Sequence, residues 1–155
     1  EHFDAYTATY PGDVPTQLSR GVAYANMRGG LLTNLEALRA YNEAIAFADE
    51  GEEDWLRARL FIYRGAMLKR LERLDESEAD LLIGKALANA DYETLDVEYN
   101  LACVYAMKSD RVKLFAALKR LSGAKRELSA IRSHLDDYFS NFADDEEFLS
   151  FIGAQ

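Results

Sequence analysis

Apolar and small residues recur every three or four positions through most of this chain, the spacing that lays one stripe along an α-helix. The pattern is clearest over residues 64–90, which predict two antiparallel helices joined by a tight polar turn. Phe61, Gly65, Leu68 and Leu71 form the stripe entering that turn, and Ser77, Leu81 and Gly84 lie on one side of the helix leaving it. Asp75 with Glu78 has the form of a capping box opening the second helix. Small residues on the facing sides predict that the two axes approach closely. A hairpin of this size cannot bury its apolar face alone, so repetition is expected.

The rest of the chain carries fainter copies. Residues 1–10 predict the tail of a helix with Phe3, Tyr6 and Tyr10 on one face, broken by Pro11 and Gly12. A helix over 16–28 uses Leu18, Gly21, Val22 and Tyr24 or Ala25 as its contacts, and Gly29 and Gly30 stop it. Thr33 with Glu36 reads as a second capping box, opening a helix that carries Ala37, Tyr41, Ala44 and Ile45. An acidic link over 49–54 leads into a long helix over 53–71, which contains the only tryptophan, Trp55. After a connection at 89–93, a helix over 95–107 carries Leu101, Ala102 and Tyr105. Residues 108–110 turn the chain, Leu114, Leu118 and Leu121 line the returning helix, and Ser122 with Gly123 closes it. One amphipathic helix is then expected over 125–142, with Leu128, Ile131, Leu135, Tyr138 and Phe139 or Phe142. Asp144 and Asp145 cap a last short helix holding Phe148, Leu149 and Ile152.

Strand signals are poor, since few Val, Ile and Thr residues alternate with polar ones, while Ala, Leu, Glu and Arg dominate. An all-α domain follows, and 155 residues suffice for one sizeable core.

Charge narrows the partners. Asp and Glu number 27 against 18 Lys and Arg, a formal charge of −9. Such a surface disfavours nucleic acid and anionic membranes, which draw on basic footprints. No apolar run approaches the ~20 residues that span a bilayer. One cysteine excludes an internal disulfide framework and leaves the compartment open, with a cytoplasmic setting favoured. No secretory leader is read, although the chain opens at Glu1 rather than Met, which leaves room for upstream sequence.

Chemistry-bearing motifs are sparse. His2 and His134 have no metal spacing, and His134 reads as a polar-face or cap residue. Cys103 has no CxxC partner and reads as a small packing residue. The carboxylates Glu76, Glu78 and Asp80, and those at 144–147, fall at helix starts, where capping explains them more cheaply than acid–base or calcium chemistry. There is no phosphate-binding loop and no dinucleotide fingerprint. No cofactor, no metal and no enzymatic activity of this chain alone are therefore expected.

Spacing supplies the remaining reading. Gly21/Tyr24, Gly65/Leu68 and Ala102/Tyr105 each place a small residue three before a large one, and Ala37/Tyr41/Ala44, Ser77/Leu81/Gly84 and Leu114/Leu118/Leu121 share a four-then-three pattern. In this the chain resembles the tetratricopeptide repeat family, whose repeat is a helix–turn–helix of about 34 residues. The stretch from Phe139 to Ile152, FSNFADDEEFLSFI, is similar to the capping tail that closes bacterial members of the family. The copies are irregular, and Leu114 and Leu121 stand where the family usually has small residues. The resemblance implies an α-α superhelix, or solenoid, within a single domain 1–155. Its parts are hairpins at 14–49, 52–89 and 93–123, a cap at 125–155, and at 1–10 the end of a repeat whose first helix is absent.

The resemblance also implies that a protein or peptide partner binds in a concave groove lined by the first helix of each hairpin. That groove would take Leu18, Val22, Ala25 and Asn26, then Arg59, Ile62, Ala66, Lys69 and Arg70, then Tyr99, Asn100, Cys103 and Met107. Leu18 and Val22 stand where the family's carboxylate clamp has Lys and Asn, so that clamp is not expected. Arg59, Lys69 and Arg70 remain either as a basic spot for an acidic peptide or as solvated charges paired locally with Glu72 or Asp54. Two rivals stand beside a binding module. One is self-assembly into a homo-oligomer through the N-terminal edge of Phe3, Tyr6 and Tyr10. The other is a regulatory segment of a larger enzyme, such as a kinase or peptidase.

Overall fold

From Val14 onward the described residues of a computed structural model of the protein form eight α-helices and one short 3-10 segment, and no strand occurs among the described residues. Those residues are Ala5, Ala8 and Thr9, then 12–27, 29–48 and 53–153. The expected apolar edge of Phe3, Tyr6 and Tyr10 lies outside them. The chain divides into two compact units, Glu1–Asn89 and Ala90–Gln155. All-α architecture is thus established.

The first unit holds α1 (Val14–Asn26), α2 (Leu31–Phe47), α3 (Asp54–Arg70) and α4 (Leu74–Leu87). α1 packs on α2 and α3 on α4 as antiparallel hairpins, and α3 also lies against α2 and touches α1. The hairpins close where a glycine removes the side chain. A Cβ on Gly21 would stand 2.3 Å from the Tyr41 ring, one on Gly65 2.8 Å from Leu81, and one on Gly84 2.7 Å from Ile62. Ser77 adds a buried hydroxyl bond of 2.7 Å to the Gly65 carbonyl. Each helical glycine costs about 1 kcal/mol in propensity. Burying a large aliphatic side chain stabilises by roughly 1.5–3 kcal/mol, and Leu81 and Ile62 are 0% and 2% exposed, so packing wins at both sites. The core of this unit gathers Leu18, Leu38, Tyr41, Leu56, Leu60, Met67 and Leu68.

The second unit holds α5 (Asp91–Met107), α6 (Arg111–Arg120), α7 (Lys125–Ser133), the 3-10 segment Ser140–Phe142 and α8 (Glu146–Ile152). α5 and α6 form a third hairpin, with α7 and the 3-10 segment packed on α5 and α8 on α7. Leu114, Leu118 and Leu121 are fully buried, as is Cys103. Phe139 stacks on Phe148 at 5.6 Å, and Phe142 lies 5.8 Å from the same ring.

Local details depart from the sequence reading. The helix expected over 125–142 stops at Ser133, and His134 ends it with its N–H on the Ile131 carbonyl. A straight helix would carry Phe139 and Phe142 onward along its axis. The turn at 134–139 instead folds them back onto Phe148. His134 does serve as the end residue, with its imidazole 3.5 Å from Asp137. Thr33 is not an N-cap: α2 begins at Leu31 after Gly30, whose φ of 72° suits a residue without a Cβ, and the Thr33 hydroxyl donates to the Gly30 carbonyl. Nor does Asp75 cap α4, which starts one residue earlier, so Asp75 sits in the first turn, where its charge favours the helix dipole. Of the two expected caps before α8, Asp145 takes the role, accepting the Phe148 N–H at 2.9 Å.

Candidate functional site

Successive residues of a helix step round its axis by about 100°, and α3 divides into faces on that basis. Leu56, Leu60, Met67 and Leu68 join the core that α1 and α2 share. Ala58, Ile62 and Gly65 face α4, where Gly84 and Leu81 meet them. Between these two sides runs a strip of Trp55, Arg59, Ala66 and Arg70, with Trp55 and Arg70 exposed and the other two half-buried.

Both arginines are held. The Arg59 guanidinium carbon lies 5.2 Å from the centroid of the Trp55 ring, one turn earlier, a cation–π contact. Nη1 of Arg70 donates 2.9 Å to the carbonyl of Ala25, in the last turn of α1, where helical carbonyls lack an intrahelical partner. Beneath the strip, burial of Tyr41 pushes its phenol well above the usual range. Tyr63 adds to that rise and the Arg70 charge opposes it. Asp54 pairs with Arg57 at 3.7 Å.

The residues expected to line a groove separate by environment. Val22 is half-buried beside the first core and Asn26 is exposed at the end of α1, next to the carbonyl that Arg70 holds. Leu18 and Ile62 are packed interior side chains, and Lys69 is 4% exposed, so these three line no open face. On α5, in the second unit, Asn100 is buried with its amide donating 2.9 Å to the Asp96 carbonyl, and Met107 is half-buried. Tyr99 is half-buried, and its phenol is pushed far up, first by burial and then by Cys103, with which it shares a hydrogen bond. Of the residues expected in the first unit, Asn26 and Arg70 are therefore exposed, and Val22 and Arg59 half-buried.

A second polar arrangement in that unit escaped the sequence reading. Arg64 grips Asp80 bidentately, at 2.6 and 2.8 Å, and its Nη1 donates 3.1 Å to Asn42. One guanidinium thus ties α2, α3 and α4 together. A cleft of about 220 Å³ lies over it, with Leu38, Leu68 and Ala79 as apolar walls and Arg73 paired to Glu76. Two cations face two carboxylates, so the cleft has no charge with which to select a ligand. Asp80 was grouped with the capping carboxylates, yet it is the seventh residue of α4 and 5% exposed. Its position beside Ser77, Leu81 and Gly84 on the buried side was the available signal.

In the second unit, Arg111 binds both Asp145 and Glu147, lies over Phe115, and so fastens α6 to the start of α8. Among the described residues, no group of three or more His, Cys, Asp or Glu side chains is placed to hold a metal ion, and no helix is long and apolar enough to cross a membrane. Comparison with family models, with curated proteins and with solved structures found no match to this chain.

Proposed function

We propose that this chain is a protein-interaction module of tetratricopeptide-like hairpins that takes an acidic peptide segment of a partner protein on the α3 strip. The observation that carries this reading is the pair of surface arginines, Arg59 and Arg70, on one face of α3 in a chain of net charge −9. Guanidinium forks suit carboxylates bidentately, and both forks here are pre-positioned, one on Trp55 and one on the end of α1. Hairpins closed at Gly21, Gly65 and Gly84 support the repeat resemblance.

The test is fluorescence anisotropy with a labelled acidic peptide, comparing wild type with the Arg59→Glu/Arg70→Glu double variant. A charge-assisted hydrogen bond contributes about 1.5–3 kcal/mol. Each 1.4 kcal/mol is a factor of about ten, so reversal should weaken binding at least tenfold with helicity unchanged by circular dichroism. Equal affinity for both proteins refutes the reading. Self-assembly is the second reading, favoured by Met27, Leu31, Leu32 and Leu35, which are 58%, 65%, 75% and 45% exposed at the turn of the first hairpin. A monomer mass by light scattering at every concentration removes it.

A further inference from the structure

Resting on the peptide-binding reading above, we infer that the α3 strip measures its ligand: it selects an extended segment with two carboxylates about five residues apart. Arg59 and Arg70 are separated by eleven positions, three turns of helix, and so leave α3 on the same side, within about 20° of one another at Cα. At about 1.5 Å per residue, their Cα atoms stand roughly 16 Å apart along the axis. An extended chain advances about 3.3 Å per residue, so roughly five residues cover that distance.

Three features make the separation a selective property rather than an incidental one. Both guanidinium groups are anchored, Arg59 over the Trp55 ring and Arg70 on the Ala25 carbonyl, so neither is at liberty to drift toward a badly spaced carboxylate. Ala66 lies between them, and its single methyl lets a ligand backbone run close to α3. The protein's overall charge of −9 repels an acidic ligand at long range, so one carboxylate contact gains little and two made together are required. Asn26, exposed beside the Arg70 end, offers an amide to the ligand's main chain there.

The experiment uses fluorescein-labelled proline-rich peptides, held extended at about 3.1 Å per residue, carrying two glutamates at spacings of two, five and eight, with an alanine-based helical peptide carrying them at eleven. Anisotropy is read at low and physiological salt. Affinity should peak at spacing five, by about tenfold over two and eight. Arg59→Gln or Arg70→Gln, each still able to donate a hydrogen bond, should lower the spacing-five affinity to that of the others. Equal affinity at all spacings, or a maximum for the helical peptide, overturns the spacing rule while leaving the acidic-peptide function standing. Failure of every peptide to bind overturns that function itself, and the spacing rule with it.

Discussion

Gly84→Ala tests the packing on which the hairpin of α3 and α4 depends. Considered as an isolated helix, α4 gains from the change, by about 1 kcal/mol of propensity. The structure opposes this. The new methyl would stand 2.7 Å from Cγ1 of Ile62 and 3.2 Å from both the Ile62 nitrogen and the Ala58 carbonyl oxygen. A side chain can swing aside, but two of these neighbours are α3 main chain, so the helix axes must separate. Overpacking of this kind costs about 1–3 kcal/mol, and displaced backbone belongs to its upper part. The net expectation is a loss of about 1–2 kcal/mol after the propensity gain. Urea unfolding followed by circular dichroism should show a lower midpoint at unchanged slope. A companion Ile62→Ala in the Gly84→Ala background removes the nearest contact and should recover only part of the loss beyond its own cavity cost, because the main-chain contacts persist. Stability equal to or above wild type in Gly84→Ala refutes the close approach of the two helices.

Two further outcomes follow from the ion pairs. Asp80→Asn leaves the Arg64 guanidinium, 22% exposed in its side chain, without its counter-charge. Breaking a fully buried pair costs about 3–5 kcal/mol, and with Asn42 still accepting from Arg64 the loss should be about 2–3 kcal/mol in the same unfolding assay; a change under about 0.5 kcal/mol, as at an ordinary surface site, overturns the three-helix tie. Acid should loosen the start of α8. Arg111, followed by the Phe148 N–H, holds the Asp145 carboxyl below its ordinary 3.8. Stability from a depressed carboxyl is complete above the unfolded value and lost as pH falls through the folded one. The Phe148 amide signal in a nuclear magnetic resonance titration should therefore move with a midpoint under 3.8, and a midpoint at or above it removes the Arg111 latch.

The helices themselves were legible because stripe, small residue and turn agree locally. Gly65, Ser77, Leu81 and Gly84 announced a close hairpin through spacing alone, and the structure places all four at its contact. The break at Ser133 was hidden because apolar positions from Leu128 to Phe142 stay in helical phase, whether or not the helix continues. Only the docking of Phe139 and Phe142 on Phe148 decides that. Arg64 joined to Asp80 and Asn42 was unreadable for another reason. Its partners lie 16 and 22 residues away, and local patterning carries no record of such pairings. At the candidate site, Arg59 and Arg70 were found by their place on a first helix, while their anchoring to Trp55 and Ala25 needed the third dimension.

The amide of Asn141 lies 3.2 Å from the Ala106 carbonyl, 3.4 Å from that of Met107 and 3.1 Å from the Ser109 hydroxyl. Local backbone already caps that end of α5: the Ala106 carbonyl accepts the Ser109 N–H at 3.0 Å and the Tyr105 carbonyl the Asp110 N–H at 2.8 Å, with Ser109 at a φ of 56°. Asn141 adds a second donor at Ala106 from more than thirty residues further along the chain. On a ribosome adding about 5–20 residues per second, the turn can close by itself, and the segment after α7 docks on it on the order of seconds later. The finished turn is thus a landing place for chain that has not yet been made.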